Sequence, residues 1–396
     1  MRRSTTTTTS TRSFRHRGTA AALAAATLSG GLLLGACGSS SSTSTTTTAP
    51  AGGTVAPGNA AYLAADLKAP AGTLAASGST FVQPFFTRAF YTYTSANHGL
   101  QINYQGVGSG AGITAFEAGT VAFAASDVPM GATDLAKVSG PVVQVPDTLG
   151  GIAVAYNLPG VTKRVRLDGA TLAGIFTGTI TKWDAPQIAA LNPGVTLPAN
   201  PIVPEVRADS SGSTYIFTDY LTSAAPTGWT LGKAKTVAWP SAAVQSPKNS
   251  GVAAAIKSTP YSIGYIELAY AIQNNFSYAA VKNKSGAFVA PSAASVAADA
   301  DQKTSVSATD FSIVDQAGAA SYPISGYSWA ILLQKQASDT TGAQVVKVLD
   351  WTTHTGGGQD VAPALDYVPL PPAVQNQVRT QLLTVTGPGG TVLLTK

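Results

Sequence analysis

The chain has 396 residues, 44% of them hydrophobic and only 11% charged, a balance that suits a globular protein of one large or two smaller domains outside the cytosol and not a nucleic-acid binder. The formal net charge of +5 does not signal an anionic partner: residues 1–36 hold Arg2, Arg3, Arg12, Arg15 and Arg17 and no acid, leaving 19 basic against 19 acidic side chains in the rest. A basic nucleic-acid face and a polybasic membrane patch are therefore excluded, and any anion must be held by local geometry.

Residues 1–36 are built as an export leader, with an arginine-rich head, an apolar Ala/Leu stretch from Thr19 and small residues up to Cys37. The apolar run is also long enough to span a bilayer, but Gly30, Gly31, Gly35 and Ala36 favour cleavage. "LLGAC" resembles the lipobox of bacterial lipoproteins, which implies lipid attachment at Cys37; as the lone cysteine it has no intramolecular disulfide partner. Residues 37–70 are Ser/Thr/Gly/Pro-rich without hydrophobic periodicity and are expected to form a disordered spacer.

From about Ala71 short apolar runs alternate with helix-like segments. "TLAAS" (73–77) predicts a strand opening on "GSTF", and the following "VQPFFTRAFYTYTSA" predicts a helix whose aromatic stripe is core packing. "LQINYQG" predicts a second strand, "SGAGITAFEAG" a second helix and "VAFAASD" a third strand; "YSIGYIELAYAIQNN" (261–275) reads as buried strand and helix. The βαβα rhythm implies an α/β fold with a largely parallel sheet, ligands beyond the carboxyl ends of its strands, and two lobes.

A dehydrated anion needs converging donors, which helix N-termini and Gly/Ser/Thr turns supply. Four stretches have that character: "GST" (78–80), "GSGAG" (108–112), "SSGST" (210–214) and "NSGV" (249–252). Each alone is equally a helix cap. The first three follow strand-like runs, and the third stands beside Arg207, whose planar fork can grip an oxyanion unless Asp209 pairs with it. Asp127 ends a strand, where it is either a turn residue or the acceptor of a proton carried by the ligand. Protonated phosphate offers that proton; sulfate does not.

An enzymatic constellation is not legible. His16 lies in the leader, His98 and His354 are isolated, and no metal spacing, G-x-G-x-x-G or G-x-x-x-x-G-K-[ST] loop is present, so no cofactor is expected.

"SGSTFVQPFFTRAF", "INYQGVGSGAGITAFEAGTVAFAASDVPM", "GTITKWDAPQIAALNPGVTLP", "RADSSGSTYIFTDYL" and "IGYIELAYA", in order from about residue 72 to the C-terminus, resemble the phosphate-binding proteins of bacterial high-affinity phosphate ABC transporters. The resemblance implies a two-lobed periplasmic-binding-protein fold of type II, with mixed sheets, helices on both faces and two crossing hinge strands. It implies lobe I from residues 71–146 plus 323–396 and lobe II from 147–322. It implies phosphate contacts at Thr80, Phe81 (through its N–H), Ser109, Asp127, Arg207, Ser211, Gly212 and Ser213, with Asp209 orienting Arg207. Ser213 stands where well-known members have threonine, and Ser210 where glycine is common. The implied protein is no enzyme. It would be a monomer anchored by Cys37 to the outer face of the bacterial cell membrane, passing inorganic phosphate to ABC permease subunits. A secreted phosphomonoesterase using Ser211 or Ser213, and a binder of another oxyanion, are the alternatives.

Overall fold

Alternation and burial place strand β1 at Gly72–Gly78, β2 at Leu100–Gly106 and β3 at Phe123–Ser126, and β1 runs parallel to both of the others. The computed structural model describes residues 68–395, so the leader, Cys37, His16 and nearly all of the expected spacer lie outside it. Register sets Gly78 beside Gly106 and Ala125, which brings the carboxyl ends of these three strands together. Helix α1 (Gln83–Ala96) starts with a proline in its first turn, where a missing N–H costs nothing. Its Phe85, Phe86, Phe90 and Tyr93 are buried, and Phe86 stacks on Phe90 at 4.6 Å and meets Tyr104 and Phe123 edge-on. Each such ring contributes roughly 1.5–3 kcal/mol by burial, so the stripe is core. Helix α2 is Ser109–Glu117.

The centre of the sheet departs from the parallel expectation. Strand β4 (Val142–Asn157) is buried along nearly its whole length and runs antiparallel to its neighbours. The reason is connectivity: both of its partners come from far along the chain, and residue alternation carries no information about strand direction.

The second set of elements mirrors the first. Strand β5 (Val203–Arg207) lies parallel to β6 (Val244–Ser246) and β7 (Ser262–Glu267), with Arg207 beside Ser246. Helices α3 (Gly169–Thr177), α4 (Gly212–Ala224) and α5 (Lys248–Ser258) accompany them. Phe176 of α3 packs edge-on against Phe217 of α4, which stacks on Tyr265 of β7 at 4.5 Å. With β8 (Ser277–Tyr278) and β9 (Ser325–Leu333), the order is β2-β1-β3-β9-β4-β7-β5-β6, β8 pairing with β4. Strand β4 pairs with β9 over residues 142–151 and with β7 over 152–157, so one long strand serves both sets. The register slips between Ser328 and Trp329, where Asp147 is the extra residue of β4 and forms a bulge.

Candidate anion-binding site

The turn after β1 is held by its backbone. Three tyrosine hydroxyls donate to three successive carbonyls: Tyr104 to Ser79 (2.6 Å), Tyr270 to Thr80 (2.8 Å) and Tyr367 to Phe81 (2.5 Å). Thr80 is thereby fixed with its side chain buried. The Phe81 N–H donates to Ser79 Oγ at 2.9 Å, while its ring lies in the core against Tyr367.

The turn after β2 delivers Ser109, the first residue of α2. Its Oγ accepts from the N–H of Asp127 at 3.4 Å and from that of Gly212 at 3.2 Å, so it joins a strand end on one side to a helix start on the other. Gly108, at φ 96°, turns the chain into this position; a Cβ there would sit 2.3 Å from Asp209 Oδ2. Gly212 is as tightly constrained, since its Cβ would fall 2.4 Å from Asp127 Oδ2.

Asp127 is 2% exposed, and its Oδ1 has no hydrogen-bond partner. Burial pushes its pKa up to about 7, against the pull of the Ser79 hydroxyl, the Arg207 charge and the Ser109 hydroxyl. A buried carboxyl with an unmatched oxygen is costly unless something brings it a proton or a donor.

Across from it stands the cation. Arg207 ends β5 with its N–H given to Tyr265 Oη (3.1 Å), and its side chain forms a fork onto Asp209, Nε to Oδ1 at 2.8 Å and one terminal nitrogen to Oδ2 at 2.5 Å. Burial raises the Asp209 pKa, but the Arg207 bonds and charge and the N–H of Lys248 more than reverse it, holding it below the ordinary carboxylate range. The pairing of Asp209 with Arg207 is thus present, and it occupies one edge of the guanidinium. Ser211 caps α4, its Oγ accepting from the Thr214 N–H at 3.1 Å, and Gly212 and Ser213 open the helix. Ser210, with its additional Cβ, is accommodated because its carbonyl is met at 3.0 Å by the N–H of Gly110, which has no side chain to clash.

All eight residues named as contacts are buried and grouped around these strand and helix ends, along with Asp209. The fourth turn, "NSGV", adds a residue missing from that set. Asn249 donates from Nδ2 to Thr80 Oγ1 (3.0 Å) and to Ser213 Oγ (3.4 Å), and from its backbone N–H to Thr80 Oγ1 (3.2 Å). Its Gly/Ser composition flagged the stretch, but nothing in the chain said that it would land opposite residue 80. Tyr104, Tyr270 and Tyr367 left no signal beyond buried aromatics. His354 is engaged elsewhere, its Nδ1 donating to the Asp350 carbonyl at 2.7 Å, and His98 is exposed. Among the described residues no cluster of His, Cys, Asp and Glu is placed to hold a metal. A surface groove lined by Gln83, Arg88, Tyr91 and Tyr270 offers about 680 Å³ but includes neither Arg207 nor Asp127.

Comparison with known proteins bears on this geometry. Residues 40–354 match the PBP superfamily domain. The phosphate-binding protein PstS of Xylella fastidiosa (strain 9a5c) is 36% identical over 313 residues, 77% of this chain and 83% of that protein. That of Pasteurella multocida is 37% identical over 324 residues, covering 80% and 92%. The chain belongs to this family of phosphate-binding proteins. A solved high affinity periplasmic phosphate-binding protein (PfluDING), bound with phosphate, superposes with a TM-score of 0.64 at 25% identity, covering 78% of this chain and 93% of that one. A DING protein structure gives 0.66 at 25% identity, over 81% and 96%. The mixed α/β architecture is therefore that of the periplasmic binding proteins.

Proposed function

We propose that this protein captures inorganic phosphate outside the cytoplasm and delivers it to an ABC-type importer, with the buried site as its cleft. The observation that carries the proposal is the pairing of Asp127, buried with an orphaned oxygen, with the Arg207–Asp209 fork. Two carboxylates against one guanidinium would repel an ordinary anion. A ligand that carries its own proton escapes that repulsion, because it donates to Asp127 while its other oxygens take donors from Arg207, Thr80, Ser109, Ser211, Ser213 and the N–H groups of Phe81 and Gly212. The starts of α2 and α4 add dipoles of the right sign. Monohydrogen phosphate meets these terms; sulfate has no proton to give.

The lobes we assign to this function are residues 71–146 with 323–396, and 147–322, hinged at β4 and β9 and closing on the anion. Residues 1–36 serve as the leader and Cys37 as a lipid-bearing tether on the outer face of the membrane, with 37–70 as spacer; no helix of the described residues is long and apolar enough to cross a membrane. The working form is a monomer that meets permease subunits.

Binding without bond breaking is favoured over phosphomonoester hydrolysis. A serine nucleophile needs a base within reach, yet Asp209 is committed to Arg207 and Ser211 Oγ to its helix cap. Calorimetry with phosphate, arsenate, sulfate and molybdate tests the proposal. Phosphate and arsenate, which keep a proton at neutral pH, should bind and sulfate should not, with no turnover of a chromogenic phosphate ester. Equal affinity for phosphate and sulfate would overturn it.

A further inference from the structure

We propose that Asn249 is a specificity-determining positioning residue, which forces the hydroxyl of Thr80 to act as a donor toward the bound anion by occupying its acceptor sites from behind, and turns that of Ser213 the same way by occupying one of its two. The inference rests on the phosphate-binding function proposed above.

A hydroxyl can donate one hydrogen bond and accept up to two, and which of these it presents to a ligand depends on what its other neighbours do. Thr80 Oγ1 receives two N–H groups from one residue, the Asn249 amide at 3.0 Å and the Asn249 backbone at 3.2 Å. Its acceptor capacity is thus taken, and the remaining proton is what it can offer. Ser213 Oγ receives the same amide nitrogen at 3.4 Å. The orientation of the amide is itself determined: Asn249 Oδ1 accepts from the Glu267 N–H at 3.0 Å, so the NH₂ group must be the end facing the hydroxyls. Asn249 is completely buried, so these bonds are shielded from bulk solvent.

Local backbone geometry supports the same role. Lys248 has φ of 67°, a left-handed conformation that a residue with a side chain adopts at a cost. In that conformation successive N–H groups point to different members of the site, Lys248 to Asp209 Oδ1 at 2.9 Å and Asn249 to Thr80 Oγ1. The start of α5 thereby braces the acid that orients Arg207 and the threonine on the opposite wall. Thr80 and Ser213 belong to different proposed lobes, so their shared amide is in place only when the cleft is closed. An anion with a surplus proton directed at either hydroxyl would meet donor against donor, which leaves Asp127 as the acceptor for the ligand's proton.

The test is calorimetry of the full protein with inorganic phosphate, alongside thermal unfolding of the ligand-free variants. Asn249→Ala is expected to weaken binding about tenfold. Asn249→Asp, nearly the same shape, should weaken it about a hundredfold at pH 8, because a carboxylate draws both hydroxyl protons to itself and adds like charge. That loss should shrink toward pH 5, where the protonated carboxyl can donate again, a recovery that a purely structural role does not produce. Thr80→Ala and Asn249→Ala together should weaken binding by less than the product of the two single losses, the remaining loss passing through Ser213. Asn249→Ala binding within twofold of the wild type, additive losses with Thr80→Ala, or equal losses in the Ala and Asp variants at every pH would each overturn the inference. Where Asn249→Ala fails to fold, the pH dependence of Asn249→Asp decides. A wild type that binds no phosphate removes the function proposed above and this inference together, whereas a binding wild type with indifferent variants removes this one alone.

Discussion

The two walls of the proposed cleft are built from similar parts and have opposite electrostatics. In each, parallel strands run into Gly/Ser/Thr turns and helix starts: Ser79 to Phe81 and Ser109 on one side, Ser211 to Ser213 and Asn249 on the other. The wall from residue 207 onward carries the cation and its brace, whereas the wall from residue 78 onward carries a buried carboxyl and no cation. In the proposed function, backbone donors and hydroxyls would suit any oxyanion, and the difference between the walls is what would make the site selective. On that proposal, charge attracts on one side and a proton is demanded on the other.

The largest effect is expected from removing the cation. Arg207→Ala strands Asp209 beside the anion and should weaken phosphate binding on the order of a thousandfold, measured by calorimetry, without creating preference for another oxyanion. A loss confined to one anion would break the division of labour between the walls.

Asp127 ties the second prediction to pH. Its pKa is raised by burial from 3.8 to about 7, so folding favours the neutral acid. That contribution to stability is complete below about pH 4 and is lost as pH rises through 7. In urea unfolding of ligand-free protein, the wild type should lose roughly 3 kcal/mol more between pH 4 and pH 8 than Asp127→Asn does. Identical pH profiles would show that Asp127 is not the buried acid described.

The same substitution sharpens the comparison in the ligand dimension. Asp127→Asn replaces the proton acceptor with an amide that can donate, so phosphate should weaken and sulfate gain, moving their affinity ratio about a hundredfold. Wild-type protein should likewise begin to accept sulfate as pH falls below 7.

The smallest effect belongs to the rim. The Lys235 carbonyl accepts from the Ser211 N–H (2.9 Å), and the Lys235 side chain reaches Asp134 on the other wall at 3.3 Å, both side chains being about a quarter exposed. Such a partly solvated pair contributes about 0.2–1 kcal/mol, so Lys235→Ala should raise the phosphate off-rate only about two- to fivefold in stopped-flow measurements, an effect that higher salt reduces.

Much of the cleft was legible because its chemistry is local. Helix starts need caps, close backbone approaches need glycine, and these requirements mark the chain at residues 78–80, 108–112 and 210–214. Arg207 and Asp209 stand two residues apart, so their pairing could be weighed before any fold was known. The carboxyl at residue 127 was ambiguous because a turn aspartate and a buried proton acceptor are the same residue type. Burial and an unpartnered oxygen distinguish them, and both depend on the surrounding fold.

Alternation, helical period and turn chemistry belong to the chain itself, and they marked strands β1, β2, β3 and β7, helices α1 and α2 and the four donor-rich turns. Strand direction at the sheet centre, the bulge at Asp147 and the meeting of Asn249 with Thr80 across 169 residues were decided only by tertiary structure. Such pairings join segments far apart in sequence, and no local preference of either segment encodes its partner. The selectivity proposed for the site rests on these long-range pairings: the donors can be read from the chain, but the contacts that would direct their protons form only where the two walls meet.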